Sequence, residues 1–539
     1  MMLRRRAALA LRQATQGQPN AGALGAFAHR SACGCTSCGA RALSTAAKPA
    51  APAPTLNLHV APPKASASSE KETRKEKMAA AAKTKEGGKN KWQNFVGGVL
   101  DVIRPACSAA WPAVMNVLDA PSKRRVQNAA SVYDLRLAAE KRMHAMCFGY
   151  LDGGADEEIA LRRSVDAYKD VELRHAVLHG VGHGEVDASA TILGHKHALP
   201  FFVTSCAGQR MFHADGEVAT ARAAEKHGVH MALSQLTTST FEDVREAAPT
   251  SARTLQLYVW RDRYLLAEVL ARAKEVGFTA LALTADFSWV GNRERETKTG
   301  FTVPPSYSPR QCVDALRSPA WTYDFMSRVP YGYKAVPDAD FPAESLVDFI
   351  AQQMKPEFDW DDAAWLCEEW GDTGPVALKG VARGADAVRW LEVGGKSIWV
   401  SNHGGRQLES SVAPFDVLPE VRAAVGPDVE VIMDGGVRRG IDVVKALARG
   451  ADSVAVGRAY LYGLAAGGFD GVDKALTILS KDVHLALGLL GCRNVAELKA
   501  RAPDMMLVKE SSAYVQGGIF EPGVAGHTLQ PCLQKAKNQ

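Results

Sequence analysis

The sequence predicts an α/β fold, a closed barrel of eight strand–helix units, on three observations. Eight short apolar runs recur between residues 199 and 458, each followed by a helical stretch in which Ala, Leu and Val alternate with charged residues. The runs are apolar nearly throughout, as expected of parallel strands buried on both faces. The residues that close them are polar, although the runs are not. Eight units in about 260 residues match a (β/α)8 TIM barrel better than an open doubly wound sheet. The first turn, "TSCAGQ", also lacks the glycine-rich pattern of a dinucleotide-binding sheet.

In chain order, the first element is not part of the barrel. Residues 1–91 hold 16 Lys/Arg against 4 Asp/Glu, and the first acidic residue is Glu70, so the formal charge of +5 conceals a mildly acidic body. "MMLRRRAALALRQ" followed by Ser, Ala and Pro is Arg-rich and acid-poor, as in an organellar transit peptide. A transit peptide and disordered region over 1–69, directed to the mitochondrion rather than a plastid or peroxisome, is the expectation. "CGCTSC" at Cys33–Cys38 has no second Cys/His pair at zinc spacing, so no metal site is expected. A charged linker and a weakly apolar segment follow over 70–130. Within it, 92–120 is interrupted by Asp101, Arg104 and Pro112 and is expected to pack on the body. The barrel domain is expected over 131–510, preceded by helix, and a tail over 511–539.

The strands are "PFFVTS" (200–205), "MALSQ" (231–235), "LQLYV" (255–259), "ALALTAD" (280–286), "PVALKG" (375–380), "SIWVSN" (397–402), "EVIMDGG" (430–436) and "SVAVGR" (453–458). After the fourth, residues 287–360 form a loop long enough to suggest a function. Ten cysteines in 539 residues are too few for a disulfide scaffold, and no run of eighteen apolar residues occurs. The acidic body carries no clustered basic footprint for nucleic acid.

Barrel chemistry sits at the carboxyl ends of the strands. There the sequence places Ser205, Cys206, Ser234, Gln256, Tyr258, Thr284, Asp286, Lys379, Ser401, His403, Asp434, Gly436, Gly457 and Arg458. A lone polar group at a barrel mouth is usually structural; this many on one face is a site. "DGGVRRG" (434–440) and "GRAYLYG" (457–463) close strands seven and eight, where barrels hold phosphate. Glycines admit backbone N–H groups there, and Arg438 and Arg458 add guanidinium forks. Lys379 suits a Schiff base, a structural ion pair or the electron-rich edge of a flavin. The ring of neutral donors formed by Ser234, Gln256, Thr284 and Ser401 favours the flavin. His403 and Asp286 form a candidate acid/base pair. Arg406 and Arg293 can both grip a carboxylate, although Arg293 lies in a charge-rich loop where surface ion pairs are common.

"SNHGGRQL", "DGGVRRG", "ALKG", "LQLYVWRDR", "ALTAD…GNRERE" and "LGCRNVAEL" together resemble the FMN-dependent α-hydroxy-acid dehydrogenases and oxidases. The likeness is nearest in feel to the bacterial L-lactate dehydrogenase branch and runs from about Ser131 to about Leu498. The resemblance implies FMN as cofactor, with His403 as base, Asp286 behind it and Tyr258 on the substrate hydroxyl. It puts Arg293, Arg406 and Tyr150 on the carboxylate. Ser234, Gln256, Thr284, Lys379 and Ser401 fall at flavin-ring positions, and Asp434, Gly436, Arg438, Gly457 and Arg458 at ribityl and phosphate positions. Three departures stand out. Ser205-Cys206-Ala207 replaces a proline-containing turn, Leu236 replaces the bulky Trp of glycolate oxidases, and no haem domain precedes the barrel. The expected activity is oxidation of an L-2-hydroxy acid, L-lactate first, to the 2-oxo acid. Electrons would pass to O2, quinone or cytochrome c, with membrane contact at most peripheral and a homotetramer by resemblance. Glycolate or mandelate as substrate is the alternative, and a non-catalytic flavoprotein a distant one.

Overall fold

The computed structural model describes residues 112–301, 308–327, 332–335 and 353–509, with residues 98 and 110 besides. The transit and disordered region, Cys33–Cys38, the charged linker, parts of the long loop and the tail from 511 lie outside the described residues.

Three short strands precede the barrel: β1 (Val171–Leu173), β2 (Ala190–Ile192) and β3 (His195–His197). The barrel is β4 (Phe201–Val203), β5 (Met231–Ser234), β6 (Arg253–Leu257), β7 (Ala280–Thr284), β8 (Val376–Val381), β9 (Ser397–Val400), β10 (Glu430–Asp434) and β11 (Ser453–Val456). Every neighbouring pair is parallel, and β11 closes on β4 with Val454 opposite Phe201. All eight expected strands are present. A last strand, β12 (Met506–Val508), pairs antiparallel with β1.

Alternation decides what fills the barrel. Inward positions are small on several strands, Ala232, Ala280, Ala282, Ala377 and Ala455, leaving room for Phe202 and Trp399, whose rings meet edge-on at 5.2 Å. The β2–β3 hairpin closes the amino-terminal end by adding Ile192 and Leu193 to this cluster. The carboxyl-terminal end therefore stays open.

Local signals set the helices. Ser131 and Asp134 make a reciprocal capping box at Val132–Arg142, as do Thr240 with Asp243 and Asp359 with Asp362 at theirs. The long connection after β7 is not irregular in its described part. It carries helices Glu294–Thr299, Pro309–Arg317 and Pro319–Ser327, the second started by a Ser308–Gln311 box with Pro at its first turn.

The folded body begins before residue 131. Helix Ala120–Asn128 buries Val126 and joins Ser122 Oγ to the Ala466 carbonyl at 2.6 Å. Arg142, buried, then pairs with Asp119 at 2.7 Å and Asp324 at 3.2 Å, tying the amino-terminal helices to the post-β7 segment. Among the described residues no helix is long and apolar enough to cross a membrane.

Candidate active site

A cavity opens at the carboxyl ends of the strands, with about 1090 Å³ of empty space including its mouth. That is more than a small hydroxy acid needs and is of the size that takes a cofactor.

His403 follows β9 with φ 57°, and Gly404 and Gly405 continue at 66° and 72°. A left-handed histidine is unusual and stores strain. It persists because the His403 N–H donates to Ser401 Oγ at 3.1 Å and Nδ1 lies 2.9 Å from Asp286 Oδ1. Burial works to raise the Asp286 carboxyl, yet His403 and Lys379 hold it below its ordinary value. An ionised carboxylate only accepts, so Nδ1 carries the proton and Nε2 presents a lone pair. Burial pulls the imidazole below its ordinary pKa, against the upward pull of Asp286. The ring is thus a neutral base at pH 7. Phe287 lies against it, ring centroids 5.4 Å apart, and against Tyr258 at 4.9 Å.

Asp286 can come this close because β8 bulges at Lys379–Val381, where Gly380 has φ 101°. A side chain at 380 would sit 2.7 Å from the Asp286 Cβ. The same bulge ends in Lys379. Its Nζ donates to Ser401 Oγ at 3.0 Å and lies 3.3 Å from Asp434 Oδ2. Burial acts to lower the lysine, but Asp434 and Asp286 outweigh it and keep the ammonium charged. The amine is held in an ion pair with its hydrogen bonds directed at Ser401 and Asp434, which favours a charged role at a flavin edge over a free nucleophile.

Two arginines flank the base. Arg406 Nη1 donates to the Tyr150 carbonyl at 2.6 Å, and its guanidinium lies 4.6 Å over the Tyr150 ring, itself stacked on Phe301. Arg293, half-buried, has its pKa lowered by desolvation and by Arg406. Glu296 stands between them, 2.8 Å from Arg406 and 3.6 Å from Arg293.

At the other end, Gly435 and Gly436 have φ 102° and 77°. A Cβ at Gly436 would run into the Ser164 carbonyl, so only glycine fits. Among the described residues neither Arg438 nor Arg458 has a carboxylate within ion-pair distance. Arg438 lies over the Tyr462 ring. Arg458 donates to the carbonyls of Leu151, Gly404 and Gly153, and burial pulls it down to about 10. A half-buried guanidinium with no carboxylate in ion-pair range among the described residues is a place for an anion.

The cavity gathers Tyr150, Ser234, Gln256, Tyr258, Thr284, Arg293, Lys379, His403, Arg406, Asp434, Gly436, Arg438, Gly457 and Arg458 on one surface. Asp286 and Ser401 are absent from the lining. For Asp286 that suits a supporting role. The Ser401 hydroxyl donates to Asp434 Oδ1 at 2.6 Å and accepts from Lys379 and from the His403 N–H, so it links the base, the lysine and the acid at this wall. Ser205, Cys206, Ala207 and Leu236 also line the cavity, and burial pushes the Cys206 thiol up, away from the reactive thiolate. Sequence reasoning missed Glu296, Phe287 and Thr204. Glu296 was visible only as one of two acids alternating with arginines in "RERE", a pattern that reads as solvated charge.

Residues 139–504 match the profile of the FMN-dependent dehydrogenases. An L-lactate dehydrogenase of Caulobacter vibrioides is 38% identical over 373 residues, 68% of this chain and 96% of that protein. The human 2-hydroxyacid oxidase 1 is 36% identical over 365 residues, covering 68% of this chain and 93% of its own length. The solved structure of a monotopic membrane protein, (S)-mandelate dehydrogenase, superposes with a TM-score of 0.67 at 32% identity, over 71% of this chain and 100% of that one.

Proposed function

The chain belongs to the FMN-dependent dehydrogenase family, and from that premise we propose that it oxidises an L-2-hydroxy acid, L-lactate first, to the 2-oxo acid. The observation that carries this reading is a neutral, carboxylate-backed histidine between two arginines on one wall of a flavin-sized cavity.

The residues present fit FMN. Thr204 Oγ1 is buried at the cavity without a partner, and Gln256 and Thr284 bond each other at 2.9 Å on its wall. Lys379 is held as an ammonium, and Arg438 and Arg458 line the same cavity, where their guanidinium groups would hold the phosphate. When bound, FMN supplies the acceptance of two electrons. The chain does the rest. Arg293 and Arg406 take the substrate carboxylate, and Tyr258 meets the hydroxyl. His403 Nε2 receives the proton, and Asp286 stabilises the imidazolium that results.

Anaerobic addition of L-lactate to the purified protein should bleach the yellow flavin. His403→Gln should keep the flavin bound and oxidised under the same conditions. If no 2-hydroxy acid bleaches the wild type, the reading fails. A larger substrate such as mandelate is the second reading, favoured by Leu236 and the aromatic wall of Phe287 in the lining; the ratio of kcat/KM values separates the two. The acceptor follows from whether O2, a quinone analogue or cytochrome c reoxidises the flavin. The Arg-rich, acid-poor first seventy residues support mitochondrial import, which cell fractionation tests.

A further inference from the structure

The two arginine sites meet at one short ledge, Tyr150 to Gly153, where helix Ala145–Asp152 ends. The last carbonyls of a helix lack helical partners, and here arginines take them from both sides. From the substrate side, Arg406 Nη1 donates to Tyr150 O at 2.6 Å and Gly153 O at 3.1 Å. From the opposite side, Arg458 donates to Leu151 O at 3.1 Å and, through Nη2, to Gly153 O at 2.6 Å. The Gly153 oxygen is therefore shared between the two guanidinium groups.

The ledge is fixed by the one side chain that projects from its centre. Asp152, 7% exposed, accepts four hydrogen bonds. Arg136 is bidentate on both oxygens at 2.8 Å, Tyr462 donates to Oδ1 at 2.7 Å, and Arg295 donates to Oδ2 at 2.7 Å. Each donor comes from a different part of the site. Arg136 belongs to the amino-terminal helix Val132–Arg142. Tyr462 lies beneath Arg438 at the glycine-rich end. Arg295 sits on helix Glu294–Thr299, which also carries Glu296, the partner of Arg406.

We propose that Asp152 is a positioning residue that couples the two anion sites, so that an anion held at Arg458 prepares Arg406 for the substrate carboxylate, and the reverse. This rests on the roles given above to those two arginines. An anion that draws a donor from Arg458 leaves the Gly153 oxygen to Arg406 alone. Arg406 is fixed at its other nitrogen by Glu296, whose helix Asp152 anchors through Arg295, so the change is felt as orientation rather than absorbed as slack. A carboxylate is needed because all four positions around it are donors. An amide would turn an N–H toward cations and leave one of them unmatched. Coupling of this kind is reciprocal between two binding equilibria.

The test uses the holoenzyme and oxalate, a small carboxylate probe with no α-hydrogen to lose. FMN release on dilution, read as recovered flavin fluorescence, is measured with and without saturating oxalate. Oxalate should tighten FMN on the order of tenfold in the wild type. The effect should fall to within about twofold in Asp152→Asn, with FMN still bound, and to an intermediate value in Tyr462→Phe. The second variant removes one donor and no charge, and it decides the matter if the first does not fold. Wild-type coupling retained in the variants overturns the proposal. So does oxalate that perturbs the flavin spectrum yet leaves FMN release unchanged in the wild type. Oxalate that does not bind the wild type at all defeats the anionic-substrate reading itself, and this inference with it.

Discussion

The two ends of the barrel use polar groups in opposite ways. At the floor, Glu430 accepts from the Leu193 N–H at 2.9 Å and from Ser397 at 2.8 Å, and His230 meets Thr254. These bonds pin a hairpin over an apolar plug. At the mouth, Lys379, Asp434, Ser401, Asp286 and His403 form one connected network around a cavity, His403 sits in a left-handed conformation, and among the described residues Arg438 and Arg458 have no carboxylate within ion-pair distance. A left-handed non-glycine residue costs on the order of 1–3 kcal/mol, and a buried unpaired charge costs more. The mouth is thus organised at the expense of stability and the floor in its favour. Substitutions at the two ends should separate activity from folding.

The largest separation is expected at Asp286. Asp286→Asn keeps the size of the side chain but no longer fixes the proton on Nδ1 or stabilises the imidazolium. By the cost of losing the carboxylate behind a catalytic histidine, kcat/KM should fall about 10³–10⁴-fold, with FMN retained and near-native circular dichroism. A variant that kept its rate and lost its fold would show that the mouth network is mainly structural.

The next effect lies at the floor and falls on the other quantity. Leu193→Ala removes a fully buried side chain from the plug. It should cost about 2–5 kcal/mol in denaturant unfolding, while kcat/KM changes by less than about threefold because the sites are distant and share no partner. A comparable fall in kcat/KM would mean that the plug positions the catalytic strand ends, and the contrast between the two ends would not hold.

The same contrast explains what could be read in the sequence. The barrel strands were legible because burial on both faces leaves a run such as "SIWV" with no polar interruption, and the polar residues closing each run marked the mouth. The floor hairpin was not, because its turn uses Leu193 and Gly194 at φ 47° and 84° where Asn-Gly would have announced it. At the mouth, sequence position gives which strand end a residue occupies but not how deep its side chain lies. The position of Ser401 at a strand end was therefore legible, while the bonds that join its hydroxyl to Lys379, Asp434 and the His403 N–H were not. Glu296 and Asp152 were hidden for a different reason. Their partners come from segments as far as 310 residues away, as Tyr462 does for Asp152, and no local pattern encodes such a pairing.

The smallest effect is a displacement along the pH axis, and it probes the balance that makes the mouth reactive. His403 must be neutral to take a proton, so kcat/KM should rise with pH through the pKa of its imidazole in the free enzyme and then level off. Burial, helped by Lys379 and Arg293, moves that pKa down, and Asp286 opposes it. The acid limb should therefore lie below the ordinary histidine value of about 6.5, leaving the base fully competent at neutral pH. Removing the opposing charge in Asp286→Asn leaves only the downward influences, so the residual activity of that variant should show its limb at still lower pH. The two measurements are independent, since one reads the height of the plateau and the other its edge. A limb that moved to higher pH in the variant would mean that Asp286 does not stabilise the imidazolium, and that its part is confined to holding the ring.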